Sequence, residues 1–185
     1  IEGEAGVGYR LGAGFDLPPM MFTHDEAKAL VASARMAQAW LDPGLAQSAQ
    51  DALGKIMSVL PADARAAAES LAVFAPGGGL DAPAQRTLQT LREAVQGRNK
   101  IFIQYLDLSD KPSERTLRPL GCFYWGKVWT LAAWCETRED FRSFRVDRVT
   151  YVRRLDDRFR DEPGRTLADL ARVEDARARE MGWMS

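Results

Sequence analysis

The sequence predicts an α+β protein in which a helical region is followed by a small five-stranded β-barrel and a C-terminal helix. Up to Gly97, apolar residues recur at the spacing of one helix face. After Gly97, short segments rich in β-branched and aromatic residues alternate with polar turns, which is typical of strands. Closely spaced turns across five short strands favour a small barrel over an open sheet.

Residues 1–22 are rich in glycine and proline. Clusters of these two residue types are typical of turns and extended chain. We therefore expect at most one short strand, around residues 7–11, and a linker that leads into the first helix.

Capping residues predict where the helices of residues 23–97 begin and end. Thr23 and Glu26 have the T-x-x-E spacing of a capping box, in which each side chain bonds the backbone N–H of the other residue. Pro61 suits the first turn of a helix, Asp81 suits an N-cap, and Gly97 has the place of a C-cap glycine. The predicted helices are 23–41, 45–60, 61–72 and 82–96, with a glycine-rich loop at 76–79.

The strands are predicted within residues 98–160. Pro119 predicts an edge position or a bulge, because proline cannot donate a hydrogen bond to a sheet. A charged segment with apolar residues at helical spacing follows the last strand. The predicted strands are 101–106, 115–123, 128–135, 141–146 and 150–155, and the predicted C-terminal helix is 166–181.

Composition limits the classes of partner. The chain has 25 basic and 26 acidic residues, so a general electrostatic attraction to nucleic acid is not expected, and a polyanion must bind at a local cluster. Cys122 and Cys135 are too few for a disulfide scaffold and predict buried free thiols in a reducing cytoplasm, with a single disulfide or a redox sensor as the alternative. No apolar run approaches the length of about 20 residues that a membrane span needs.

Residues 118–149 carry a resemblance to a known family. The segment combines Arg118-Pro119-Leu120-Gly121 with the aromatic run 123–131, then Ala133-Trp134-Cys135 and the arginine-rich run 138–149. This pattern resembles the WYL domain of bacterial transcriptional regulators. The Trp-Tyr-Leu triplet that names the family reads Trp129-Thr130-Leu131 here, so no ligand role is transferred to position 130. The resemblance implies an Sm-like or SH3-like barrel that senses a ligand, which in some members is a nucleotide or single-stranded nucleic acid.

The N-terminal residues carry a second resemblance. Gly8-Tyr9-Arg10-Leu11 is similar to the last strand of the wing in DeoR-like, YafY-like winged helices, and residues 17–23 are similar to the linker that follows it. The resemblance implies a homodimeric regulator whose winged helix-turn-helix, missing ahead of Ile1, binds operator DNA. The implied parts are a wing remnant and linker (1–22), a helical linker and dimerisation region (23–97), the WYL domain (98–160) and a C-terminal helix (161–185).

Arginines are the main candidates for ligand contacts. Guanidinium groups offer forked donors that match phosphate geometry. Strand alternation sends Arg142 and Arg145 to opposite faces. We predict that Ser143, Arg145 and Arg148 face the pocket. The alternative is pairing with nearby carboxylates at 136, 139, 140 and 147, which would contribute only about 0–1 kcal/mol per surface pair.

Aromatic side chains complete the predicted site. Base stacking contributes about 1–3 kcal/mol per base, so arginine combined with aromatic surface suits single-stranded nucleic acid. Tyr105, at the end of a strand, is the ring expected to be exposed, whereas Trp129 and Trp134 are expected in the core. Arg118 is expected in the same cavity, with a bridge to Glu114 or Asp107 as the alternative. The predicted ligand-binding residues are Tyr105, Arg118, Arg138, Arg142, Ser143, Arg145 and Arg148.

The sequence offers few of the residue patterns that catalysis needs. His24 is the one histidine, no carboxylate pair stands out, and no cluster has metal-ligand spacing, so we expect no catalytic residue, metal or cofactor. The predicted function is effector sensing. The alternative is a protein–protein interaction or assembly module without a small ligand. A hydrolase or nuclease would require a metal or an activated nucleophile.

Overall fold

The computed structural model describes residues 2–4, 8–10, 22–72 and 80–180. Strands β1 (Glu2–Glu4) and β2 (Gly8–Arg10) form an antiparallel pair, where the sequence predicted at most one strand. The second strand was missed because three residues are too few for a periodic pattern. Most of the predicted linker and the glycine-rich loop at 76–79 lie outside the described residues.

The predicted helices are confirmed, with changes at their ends. Thr23 and Glu26 form the predicted reciprocal capping box, and Asp81 caps its helix by accepting the N–H of Ala84. The left-handed residue that ends this helix is Arg98, with φ 52°, rather than Gly97. A Cβ at position 97 would lie 2.5 Å from Asn99 Oδ1, which accounts for glycine there. The helices are α1 (His24–Trp40), α2 (Pro43–Val59), α3 (Ala62–Glu69), α4 (Ala82–Gly97) and α5 (Leu167–Glu180).

Within the described residues, one five-stranded antiparallel sheet follows α4. Its strands are β3 (Asn99–Leu106), β4 (Pro112–Tyr124), β5 (Trp129–Cys135), β6 (Asp140–Arg145) and β7 (Val149–Arg158), in the order β6-β5-β4-β3-β7. Pro119 was predicted to lie at an edge or a bulge, and the register with β5 shifts between Pro119 and Gly121, as it does at a bulge. The predicted closure into a barrel is not observed: β6 and β7 are the two edges and do not pair with each other.

The sheet is nevertheless strongly curved. A 3₁₀ helix of three residues, Val146–Arg148, joins β6 to β7, although these strands are opposite edges of the sheet. At about 2 Å per residue, such a link spans roughly 8 Å. Five flat strands at their usual spacing of about 4.8 Å would separate the edges by roughly 19 Å. The two edges must therefore approach each other at this link. They do so without the hydrogen bonds that would close the sheet into a barrel.

The hydrophobic core lies between α4 and one face of the sheet, here called the inner face. Leu88 and Leu91 of α4 pack with Ile101, Ile103 and Leu117, and all five are at most 2% exposed. Apolar residues of β5 and β6 complete this core. Helix α4 is thus part of the same packing unit as the sheet.

Helices α1, α2 and α3 form a group that meets this unit at the corner between α1 and α2, here called the α1–α2 corner (residues 40–45). Helix α1 packs against α2 and α3, and α2 packs against α4. Asp42 accepts two hydrogen bonds from Arg92 of α4, at 2.7 and 3.0 Å. Trp129 of β5 donates its indole N–H to the carbonyl of Trp40 at 3.1 Å. No described helix is long and apolar enough to cross a bilayer.

Candidate functional site

A pocket of about 630 Å³ opens at the end of the inner face where β3 turns into β4. The strand registers explain its lining. Ile103 is paired with Arg115, and Tyr105 with Ser113, so these side chains continue the face that carries buried Ile101 and Leu117. We call it the basic pocket, and its lining residues are Tyr105, Asp107, Lys111, Pro112, Ser113, Arg115, Arg138, Arg142, Ser143 and Phe144.

Tyr105 and Phe144 form the apolar part of the basic pocket. Their rings meet edge to face, with centroids 5.1 Å apart. The Tyr105 hydroxyl accepts a hydrogen bond from the backbone N–H of Arg145 at 3.4 Å. This contact connects β3 to β6 across the interior of the curved sheet. Tyr105 is therefore held in one position by packing on one side and a hydrogen bond at its tip.

Positive charge predominates in the basic pocket. Lys111, Arg115, Arg138 and Arg142 line it, and Asp107 is the one carboxylate among the described lining residues. Of these four cations only Arg142 has a carboxylate within 4 Å in the described part of the chain, Asp140 at 3.0 Å. Three cationic side chains therefore face the pocket without a carboxylate partner in that part of the chain.

Asp107 shapes the pocket wall. Its carboxylate accepts the backbone N–H groups of Lys111, at 3.0 Å, and Ser109, at 2.8 Å. These bonds lower the pKa of Asp107, because they stabilise its charged form. The carboxylate thus belongs to the turn between β3 and β4 and stays ionised there.

Four of the predicted site residues meet in the basic pocket: Tyr105, Arg138, Arg142 and Ser143. Arg145 does not line it, and instead forms a two-pronged pair with Asp147, at 3.1 and 2.6 Å. Phe144 is buried opposite Leu131, so the alternation of β6 sends Arg142 inward with it. Arg142 and Arg145 do lie on opposite faces as predicted, but the inward arginine is Arg142.

Arg148 also lies outside the basic pocket. Its guanidinium donates to the carbonyls of Leu106 and Asp107 and to the carboxylate of Asp110, at 3.1 Å. It therefore joins the β6–β7 link to the β3–β4 turn. This contact holds the pocket wall in place without contributing to its surface.

Arg118 does not line the basic pocket, and its place next to buried Leu117 puts it on the opposite face of β4. It is 8% exposed and bonds Glu136 at 2.9 Å and Glu162 at 2.7 Å, rather than Glu114 or Asp107. Glu136 also accepts from Lys100 at 2.7 Å. Burial alone would raise the pKa of Glu136, but the bonds from Arg118 and Lys100 outweigh it and lower the pKa. Arg118 thus ties the segment after β7 to the sheet.

Two pocket cations, Arg115 and Lys111, were absent from the sequence-based prediction. Arg115 lies two residues before fully buried Leu117, so strand alternation around Leu117 could have placed it on the inner face. Lys111 lies in a turn, where no periodic pattern indicates direction. In the described part of the chain, no group of three or more His, Cys, Asp or Glu side chains has the geometry to hold a metal ion.

The two tryptophans expected in the core differ in environment. Trp129 is half-buried and packs against the core. Trp134 is half-buried beneath the Arg165 guanidinium, 5.1 Å from the ring centroid, and meets Phe141 edge to face. Both cysteines are free thiols, Cys135 buried and Cys122 half-buried.

Comparison with known proteins identifies part of the chain. The family model of the WYL domain matches residues 86–154, so the segment from α4 into β7 is a WYL domain. Among solved structures, the chain is similar to proteasome accessory factor B/C (PafBC) of Arthrobacter aurescens, at 22% sequence identity and a TM-score of 0.41. That similarity covers 80% of this chain but 23% of the other, so this chain spans less than a quarter of its length.

Proposed function

We propose that this chain is the effector-sensing part of a DNA-binding transcriptional regulator, and that its WYL domain binds an anionic ligand in the basic pocket. The ligand is a nucleotide or a single-stranded nucleic acid. The observation that supports this most directly is the convergence of Lys111, Arg115, Arg138 and Arg142 on one pocket that contains one lining carboxylate among the described residues.

Three of the four pocket cations have no carboxylate partner in the described part of the chain, which favours the binding of an anion. Cations brought together repel each other, and an anion that enters removes this repulsion and supplies acceptors for the guanidinium forks. The volume of about 630 Å³ lies within the range of about 300–1,000 Å³ that is usual for small-molecule sites. Tyr105 and Phe144 add apolar surface beside these charges.

The regulatory part of the proposal rests on the WYL domain and on the sequence resemblance of residues 8–23 to DeoR-like, YafY-like regulators. In this proposal a winged helix-turn-helix precedes the chain and binds operator DNA, the protein is a cytoplasmic homodimer, and the curved sheet is of the Sm-like or SH3-like class. The ligand must bind two states of the dimer with different affinity, because equal affinity would shift nothing.

The test uses a fluorescently labelled single-stranded oligonucleotide, with unlabelled nucleotides as competitors, and follows anisotropy at several salt concentrations. Arg142→Ala and Arg138→Ala should each weaken binding about tenfold or more, since a charged hydrogen bond contributes about 1.5–3 kcal/mol. Arg145→Ala is the matched control: it removes an arginine of the same strand that is paired with Asp147 outside the pocket. Equal affinity of the Arg142 and Arg145 variants would refute the proposed pocket.

One observation favours the alternative, an assembly module without a small ligand. Trp125, at the tip of the β4–β5 hairpin, is 70% exposed although its indole N–H is fixed to Thr130 at 2.9 Å. Its ring stacks on that of Phe123, 6.3 Å away. Rigid exposed aromatics of this kind are typical anchors of protein interfaces. A dimer that dissociates on Trp125→Ala, in a protein that binds no oligonucleotide, would support this second function.

A further inference from the structure

A second cavity, of about 210 Å³, lies where the α1–α2 corner meets the WYL domain. It shares no lining residue with the basic pocket. Two walls come from different parts of the chain: Leu41 and Leu45 from the corner, and Leu88 and Val95 from α4. Cys122 of β4 and Trp129 of β5 close it from the sheet side.

We propose that this cavity, here called the joint cavity, is a binding site for a small uncharged and mainly apolar molecule, about the size of one aromatic ring. Its occupancy strengthens the docking of the α1–α2 corner on the WYL domain. The proposal does not depend on the ligand of the basic pocket.

The charged groups of the joint cavity already satisfy each other. The Asp42 side chain is 1% exposed and accepts two bonds from Arg92, and also the backbone N–H groups of Gly44 and Leu45 at 3.1 and 3.3 Å. Donors of the protein therefore occupy the acceptor sites of the Asp42 carboxylate. A charged guest would lose its hydration and find no free counter-charge, which is costly. The site is accordingly selective for uncharged molecules.

Besides the ion pair, Gln96 contributes a polar side chain to the lining, and its amide oxygen accepts a hydrogen bond from Arg92 at 3.2 Å. The rest of the lining is mainly apolar. Leucine, valine and indole side chains supply most of it. Burial raises the pKa of the Cys122 thiol to about 11, so at neutral pH it is an uncharged wall group rather than a nucleophile. Apolar cavities of about 150 Å³ are known to stay dry and to bind benzene, so a cavity of about 210 Å³ has room for one substituted ring.

Two fixed contacts keep the joint cavity open. Arg92 holds Asp42 at the start of α2, and Trp129 holds the carbonyl of Trp40 at the end of α1. These bonds set the distance between the corner and the WYL domain, while the apolar side chains between them leave space. A guest that fills this space contacts both sides at once, and binding to the docked state stabilises that state by mass action.

The test uses toluene as the neutral probe and benzoate as an anionic probe of similar size. Methyl resonances of Leu41, Leu45 and Val95 are followed by NMR during titration. Toluene should give saturable shifts of these methyl groups and slow amide exchange in α2, whereas benzoate should give neither. Equal response to both probes, or no saturable response to toluene, would overturn the proposal.

Variants place the response at this cavity. Leu45→Phe fills the space from the α2 side and should abolish the toluene response. Val59→Phe, on the same helix but at a position that is 80% exposed, is the matched control and should retain it. If Leu45→Phe does not fold, Cys122→Met narrows the cavity from the opposite wall and should weaken the response. A response to toluene that survives both filling variants would contradict the assigned site.

Discussion

At the scale of single residues, one guanidinium stabilises two turns. Arg148 extends from the β6–β7 link to the backbone carbonyls of the β3–β4 turn, and its side chain is 26% exposed. Carbonyl groups of a turn have few alternative partners when water is partly excluded, so a multidentate donor there contributes more than a surface ion pair does.

We expect Arg148→Met to lower the free energy of unfolding by about 1–3 kcal/mol, because hydrogen bonds from a charged donor are lost while the aliphatic stem is kept. Hydrogen exchange of residues 107–111 should rise. Arg177→Met is the control, since Arg177 is 53% exposed and forms only an i,i+3 pair with Glu174. Denaturant titration and exchange mass spectrometry would measure both effects, and equal losses in the two variants would argue against the role of Arg148.

The arginine cluster shows which residue roles the sequence could predict. Alternation correctly separated Arg142 from Arg145. It could not say which one points inward, because Phe141 and Phe144 place an aromatic ring on each face of β6. The deciding fact is the packing of Phe144 against Tyr105, which lies 39 positions earlier in the sequence. The environment of Arg118 likewise depends on Glu162, a distant partner in the sequence.

At the scale of elements, α5 is stabilised mainly by local interactions. No described residue of α5 is buried. Thr166 accepts the N–H of Asp169 at 3.2 Å, and the Asp169 carboxylate accepts the N–H of Thr166 at 3.1 Å, which is a reciprocal cap. A helix with little tertiary packing depends on such caps more than a core helix does.

We expect Thr166→Ala to destabilise α5 locally by about 1 kcal/mol, the usual effect of losing an N-cap side chain. Hydrogen exchange of residues 167–173 should become faster, while the midpoint of global unfolding changes little. Ser33→Ala, which removes a hydroxyl bonded within α1 to the carbonyl of Ala29, serves as the control. Unchanged exchange in α5 of the Thr166 variant would show that its packing, rather than its cap, holds it.

Helices were more predictable than the sheet as a whole because their signals are local. The caps at Thr23 and Asp81 involve residues three positions away, and both were predicted from sequence. The strands were also found, but which strands form the edges depends on pairings between distant segments, and the expected barrel closure was wrong for that reason. The end of α4 differs from the prediction in another way: the left-handed residue is Arg98, and Gly97 is the last helical residue, next to the Asn99 side chain.

At the scale of the whole molecule, a buried ion pair connects the helical region to the WYL domain. Burial alone would raise the pKa of Asp42, but the bonds from Arg92 and from the backbone of Leu45 and Gly44 outweigh it and lower the pKa. A carboxyl group whose pKa is lowered in the folded state stabilises that state above its unfolded pKa of about 3.9. The stabilisation is lost as the pH falls through the lower folded pKa.

We expect Asp42→Asn to lower the free energy of unfolding at pH 7 by about 3–5 kcal/mol, because it leaves Arg92 partly buried without its charge partner. The variant should also lose less stability than the parent protein as the pH falls below about 4. Asp51→Asn, an exposed position on α2, is the control. Urea titrations at pH 7 and pH 3 would measure this, and parallel acid losses in the parent and Asp42→Asn proteins would contradict the assigned linkage.

The three-residue link between β6 and β7 also has a consequence for the tolerance of this fold to insertions. Because the covalent reach of Val146–Arg148 keeps the outermost strands near each other, a longer segment there would let the sheet flatten and would widen the opening beside Tyr105. The hairpin tip at 125–128 joins two neighbouring strands, so its length does not set the distance between the sheet edges, and it can accept extra residues. We therefore expect insertions and deletions among homologues at that tip and not in the link.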